Sequence, residues 1–229
     1  MGLKQNSDLR LEAREGLKGY WADAVVAALI SSIIIGLVSN VNIMMESFGE
    51  AQRIINLMWI PTYAYTLLVS NIISYGIMVF YLRLFTNWSN RLEEIFSGYK
   101  NFGNVFALMF LMNLFIFLWS LLFLIPGIIA AYRYSMAVYI MAENPGTTPM
   151  DAIRRSKELT QGVKGKIFEL DLSFIGWAIL CIFTCGIGFL WLTPYWNMSR
   201  VAFYQDLKIT RLAPPAPEQE EVISLEEWE

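Results

Sequence analysis

The sequence predicts an all-α fold: a polytopic transmembrane helical bundle of six spans in three hairpins. Short amphipathic helices line its cytoplasmic side, and both termini are cytoplasmic. Three observations predict this. Of the 229 residues, 56% are apolar and 16% charged, against about 25% charged in a soluble domain. Four stretches carry no Asp, Glu, Lys or Arg: Ala24–Met45 (22 residues), Ile54–Leu82 (29), Asn101–Tyr132 (32) and Leu172–Ser199 (28). Each exceeds the roughly 20 residues that a spanning helix needs at about 1.5 Å per residue. The third observation is that the basic residues fall on one side of these runs.

Residues 1–19 form a cytoplasmic amphipathic arm, and 20–207 form the transmembrane domain. The first apolar run follows an arm that mixes Asp8, Glu12 and Glu15 with bases. It is longer than a signal-peptide core and no A-x-A site follows, so it reads as a permanent span rather than a cleaved leader. Spans are expected at about 20–41 and 60–82, joined by a polar loop. Pro126-Gly127 divides the next apolar segment into 105–125 and 127–142, because proline breaks the helical ladder and glycine permits a turn. Cys185-Gly186-Ile187-Gly188 divides the last into 167–185 and 188–206. The same pattern also admits four full spans and two re-entrant pieces. Leu212–Glu229 holds three prolines, six glutamates and no base, and reads as an acidic, disordered cytoplasmic tail. Without it, 17 bases face 14 acids.

Under six spans, 15 of the 17 bases lie on one side; Arg53 and Arg133 are the exceptions. Bases accumulate on the cytoplasmic side of membrane proteins, which orients the chain in the plasma membrane. Tyr20, Trp21, Trp59, Tyr81, Trp88, Trp191 and Trp196 flank predicted ends, as interfacial aromatic belts do.

One pattern recurs three times: an amphipathic segment, a glycine, then a hairpin. The segments are Leu9–Lys18, Leu92–Ser97 and Asp151–Gln161. In the second, Leu92, Ile95, Phe96 and Tyr99 form one α-helical stripe, with Glu93 and Glu94 facing away. In the third, Thr148, Pro149 and Asp151 are a start signal and Gly162 a stop. The recurrence reads either as a weak triplication or as the ordinary surface helices of a polytopic protein.

The chain contains no histidine. That removes the commonest general base and zinc ligand, and with them His-based triads and H-E-x-x-H metal sites. No P-loop is present. Cys181 and Cys185 stand one turn apart, which suits packing better than metal binding. No cofactor is expected, and no nucleic-acid partner. Arg133 is costly within a span. It lies seven residues after Pro126, and Trp119 lies seven before, so a symmetric hairpin sets them at similar depth. Two readings stay open for Arg133. It lines a polar cavity with Trp119 and Asn113 and meets an anion or an outer acid such as Glu46 or Glu50, or it snorkels to the interface. Asn71 and Asn113 need hydrogen-bond partners inside the bundle. Glu169 and Asp171 stand out as an inner-leaflet acidic cluster. Ile153, Arg154 and Arg155, with Leu225 and Trp228 in the tail, are the residues placed to meet a protein partner. Membrane lipids are the other expected partner. Ser31, Ser32 and Gly36, facing Ser70, Ser74 and Gly76, supply small residues for close packing of the first two spans.

Several separated strings carry a family resemblance: Phe168–Trp177, Leu118-Trp119 with Ile125-Pro126-Gly127, Ala152–Leu159, Pro194-Tyr195 with Ala202-Phe203-Tyr204, and Ala13–Trp21. In order, over about residues 9–207, they resemble a bacterial integral-membrane family known as domain of unknown function nine-seven-five. More distantly, the chain is similar to the membrane domain of some glycerophosphodiester phosphodiesterases. The resemblance implies a bacterial plasma-membrane protein. It supplies no activity and no site residues. Three classes of function follow. The first is a non-enzymatic accessory or scaffold of a transport, export or envelope system. The second is a stand-alone small transporter or lipid- or peptide-handling protein with a polar cavity near Arg133. The third is an intramembrane enzyme, which the missing histidine disfavours.

Overall fold

The computed structural model describes residues 3–46, 52–86 and 91–212, without the side chains of 35, 37–46, 52–68 and 212. Leu225, Trp228, Glu50 and Trp88, and the side chains of Glu46, Arg53 and Trp59, lie outside the described residues. The fold is all-helical, as expected. In order run α1 (Asn6–Gly16), α2 (Trp21–Glu46), α3 (Gln52–Phe85), a 3₁₀ segment (Leu92–Tyr99), α4 (Phe102–Leu122), α5 (Leu124–Tyr134), α6 (Ala137–Glu143), α7 (Pro149–Leu159), α8 (Lys164–Phe183) and α9 (Phe189–Leu212).

Among the described residues, Phe102–Leu122 and Leu124–Glu143 are long and apolar enough to cross a membrane. The second combines α5 and α6. The apolar stretch Val69–Phe85 of α3 is shorter. In α8 the apolar run is delayed, because Lys164, Lys166, Glu169 and Asp171 crowd its first turns.

α1 buries Leu9 and Ala13 on one face and meets α2 at a bend of 96°. The Lys4 backbone N–H donates to Asp206 Oδ2 at 2.9 Å, tying the arm to α9. Nearby Glu12 holds the Lys4 ammonium pKa above its ordinary value, chiefly through a side-chain hydrogen bond. Tyr81 of α3 donates its hydroxyl to the Ala24 carbonyl of α2 at 3.2 Å.

The second amphipathic segment differs from expectation. It is 3₁₀ rather than α-helical, so its period is three. Ile95 and Gly98 are buried, while Phe96 and Tyr99 point out. Glu94 does not face away: it is buried and paired with Arg83. The segment lies directly on α3, and Gly76 makes this contact possible. A Cβ there would sit 1.7 Å from the Ile95 carbonyl oxygen. Gly76 therefore serves the 3₁₀ contact.

The turn between α4 and α5 falls at Phe123, not at Pro126-Gly127. Phe123 is extended (φ −159°, ψ 152°), and Pro126 occupies the first turn of α5. The amide that proline lacks has no helical partner there anyway. Gly127 packs against α4; a Cβ would meet Ser120 Oγ at 2.0 Å.

The expected span 127–142 is interrupted between α5 and α6. A buried hydroxyl supplies what the break leaves open. Ser156 Oγ donates to the Arg133 carbonyl at 2.9 Å and accepts from the Met136 N–H at 3.2 Å. Thr160 Oγ1 also donates to the Arg133 carbonyl, at 3.2 Å. Ser156→Ala is expected to destabilise by about 1–3 kcal/mol, the cost of stranding buried backbone groups, as measured by a thermal melt in detergent.

α7 begins where the sequence signals it. Thr148 Oγ1 accepts from the Asp151 N–H at 3.2 Å, with Pro149 first in the helix. The Thr148 hydroxyl, aided by Arg154 and Arg155, holds the Asp151 carboxyl below its ordinary pKa. One face of α7 buries Ala152, Ile153, Ser156 and Leu159. Lys157 Nζ lies 5.9 Å from the Phe115 ring centroid and 5.5 Å from that of Tyr134. The last turn places Cys185 at φ 53° and Gly186 at φ 85°. Cys181 is buried in α8 and Cys185 lies exposed beyond it, so the two do not share a helix face.

Packing is uneven along the helices. The end that gathers α1, the second half of α3, α6 and the second half of α9 is densely buried, with Tyr139 and Tyr204 stacked at 5.2 Å. The tips of the α4–α5 and α8–α9 hairpins expose Leu121, Phe123, Ile125, Ile182, Phe183 and Ile187.

Candidate functional site

The charged centre of the fold is an ion pair within the α8–α9 hairpin. Arg200 donates through Nε to Asp171 Oδ1 at 3.0 Å and through Nη2 to Oδ2 at 2.6 Å. This is the two-pronged geometry in which arginine holds a carboxylate best. Trp196, one turn before Arg200, donates its indole Nε1–H to Oδ1 at 2.7 Å. Its ring also lies under the Arg200 guanidinium, 5.2 Å from centroid to Cζ. Both charges are largely withdrawn from solvent, so the pair must compensate much of its own desolvation.

The pair forms one wall of a cavity of about 500 Å³. Asn71 and Ser74 come from α3, Asn113 from α4, and Tyr132 and Ser135 from the α5 end. Asn113 Nδ2 donates to Asn71 Oδ1 at 3.4 Å, so the two amides expected to need partners meet each other. Met78, Met109 and Met112 fill the apolar side with adaptable surface.

A second space, an apolar groove of about 300 Å³, adjoins the first along α8 and α9. Phe168, Leu172, Ile175, Phe189 and Leu192 line it. Cavity and groove share Tyr132, Asp171 and Trp196. A mostly apolar chamber that holds the ion pair and a few polar side chains thus continues into an apolar slot.

The residues singled out from sequence divide. Asn113 lines the cavity; Arg133 and Trp119 do not. The Arg133 side chain is exposed, and among the described residues its carbonyl rather than its guanidinium is engaged. Glu169 and Asp171 form no cluster. Glu169 faces out beside Lys4 and Lys166, while Asp171 turns in to Arg200. Among the described residues, no three acidic or thiol groups gather as metal ligands. Ile153 is fully buried and offers a partner no surface. Arg154 is exposed and paired with Asp151, and Arg155 lines a groove of about 550 Å³ with Glu143, Lys208 and Arg211. Sequence reasoning missed Arg200, Trp196, Tyr132 and Ser74.

Fold and site together define an all-helical protein with, among the described residues, two membrane-length apolar helices and a cavity that holds an ion pair and two amides. The chain belongs to the family described as protein of unknown function (DUF975), which it matches over residues 1–132 and 120–211. No curated protein and no solved structure matches it.

Proposed function

We propose that the chain is a six-span, non-enzymatic plasma-membrane protein that handles an amphiphile drawn from the bilayer. The headgroup enters the cavity at its ion pair and the apolar chain lies in the groove. One observation carries this reading: cavity and groove meet at Tyr132, Asp171 and Trp196. Pockets that are mostly apolar, with a few convergent polar groups, are where small ligands bind. The exposed apolar hairpin tips support burial in lipid, and the one-sided distribution of bases supports both termini inside.

Leu172→Trp tests the reading. Leu172 is half exposed on the groove wall, so the larger ring fills the slot without overpacking the core. The expected result is at least a five-fold loss of co-purifying lipid with an unchanged melting temperature. Lipid content equal to the parent's contradicts it.

A second reading, an accessory of a transport or envelope system, draws support from the exposed Arg154 and Arg155 and from the acidic tail with Leu225 and Trp228. Photo-crosslinking in cells from Arg155, rather than from buried Ile153, separates the two. A reproducible protein adduct favours the accessory; lipid adducts alone favour the amphiphile reading.

A further inference from the structure

The charged hydrogen-bonding capacity left in the cavity is one-sided. Arg200 spends its Nε proton and one Nη2 proton on Asp171. Both Nη1 protons and the second Nη2 proton remain unspent among the described residues. The Asn71 amide nitrogen and the Ser74 hydroxyl also make no hydrogen bond among the described residues, and both line the cavity. Charged acceptors are scarcer. The Asp171 carboxylate already takes three donors, at 2.7, 3.0 and 2.6 Å. What remains on that side is uncharged: the Asn113 carbonyl oxygen and the hydroxyl oxygens of Ser74, Ser135 and Tyr132. The strongest capacity left is therefore the charged donor edge of Arg200, which asks for an acceptor.

Charge narrows the class further. Arg200 and Asp171 cancel, so the cavity carries no net formal charge. An unspent guanidinium edge favours an anionic oxygen, because charge-assisted bonds are the strong ones. A second negative charge would find no partner in a site of low dielectric, with Asp171 already beside it. Asp171 lies seven residues into α8, about 10 Å from its start at helical rise. That is a depth an inner-leaflet headgroup can reach.

We propose that the amphiphile is a phosphodiester lipid. Its singly charged phosphate rests on the free edge of Arg200, with Asn71 and Ser74 as neutral donors and one acyl chain in the groove beside Leu172 and Ile175. Asp171 sets the selectivity: as counter-charge it admits a phosphodiester and disfavours a phosphomonoester, which carries close to two charges at neutral pH. This inference rests on the amphiphile reading and specifies its headgroup.

The test uses the full chain, delipidated and presented with phosphatidylglycerol, phosphatidic acid or diacylglycerol, with bound lipid counted by native mass spectrometry. Phosphatidylglycerol is expected to bind at least ten-fold more tightly than either of the others. Asp171→Asn removes the counter-charge, keeps an acceptor for Arg200, and is expected to reverse the order in favour of phosphatidic acid. Asn71→Leu leaves the ion pair intact and is expected to weaken phosphatidylglycerol about ten-fold, so the inference stays testable even where Asp171→Asn fails to fold. Equal binding of all three lipids, or an Asn71→Leu protein that binds phosphatidylglycerol like the parent, overturns the headgroup assignment alone. Retention of no lipid at all overturns the amphiphile reading and this inference with it.

Discussion

Replacing Gly76 with alanine is expected to cost more than about 3 kcal/mol, or to prevent folding outright. The added Cβ would lie 1.7 Å from the Ile95 carbonyl oxygen and 2.4 Å from its carbonyl carbon. Those are backbone atoms, so no rotamer change relieves the clash. The 3₁₀ segment cannot easily slide away. Gly98 also packs tightly on α3, with its own Cβ position 2.9 Å from Ile72 Cγ2 and 3.0 Å from the Ile72 carbonyl oxygen. Glu94 is pinned to Arg83. The whole segment must lift, exposing Ile95. Gly176→Ala is the control. Its Cβ meets nothing within 4 Å, and alanine is a better helix former by up to about 1 kcal/mol. Thermal melts in the same detergent should show a loss for Gly76→Ala and little change or a gain for Gly176→Ala.

The second large effect concerns the ion pair. Asp171→Leu alone leaves Arg200 withdrawn from water without its carboxylate, a loss of about 3–5 kcal/mol for a buried pair. Arg200→Met alone strands the carboxylate similarly. The double replacement, Asp171→Leu with Arg200→Met, should recover most of the loss, because two apolar side chains of suitable volume need no mutual compensation. The coupling energy from the four melts reads this directly. Additive single effects would mean that the two groups do not act as a pair. A stable double variant that binds no phospholipid is the expected outcome: stability is restored while the headgroup site is gone.

Much of the fold was legible because long charge-free runs and tight turns are local signals. α7 opened at Thr148 and Pro149, and the last hairpin turned at Cys185-Gly186. Other features depended on distance. The 3₁₀ segment Leu92–Tyr99 sits on Gly76, a contact that no local pattern announces. The break after Tyr134 is stabilised by Ser156, more than twenty residues later in the chain.

Register decided which residues entered the site. Centring the α4–α5 hairpin on Pro126 set Trp119 level with Arg133. The turn at Phe123 shifts the register by about one and a half helical turns, so Gly127 meets Ser120 and Arg133 falls out of line with Trp119. The same reasoning, applied where the turn was read correctly, would have found the pair. Asp171 and Arg200 bracket the charge-free run Leu172–Ser199, whose centre lies at the Cys185-Gly186 turn. An antiparallel hairpin centred there sets the two charges level. Asn71 and Asn113 could be flagged as polar groups in need of partners, but sequence alone did not join them to a charge on another hairpin.

The central claim is that the groove between α8 and α9 holds the apolar chain of an amphiphile. The most direct measurement is photolabelling of the protein in bilayers by a phospholipid with a photoreactive acyl chain, with the modified residues mapped by mass spectrometry. Labels concentrated on Phe168, Leu172, Ile175 and Leu192, and lost with Leu172→Trp, are the predicted result. Labels spread evenly over Leu121, Ile125, Ile182 and Phe183 at the hairpin tips, with the groove no richer than the rest, would contradict it.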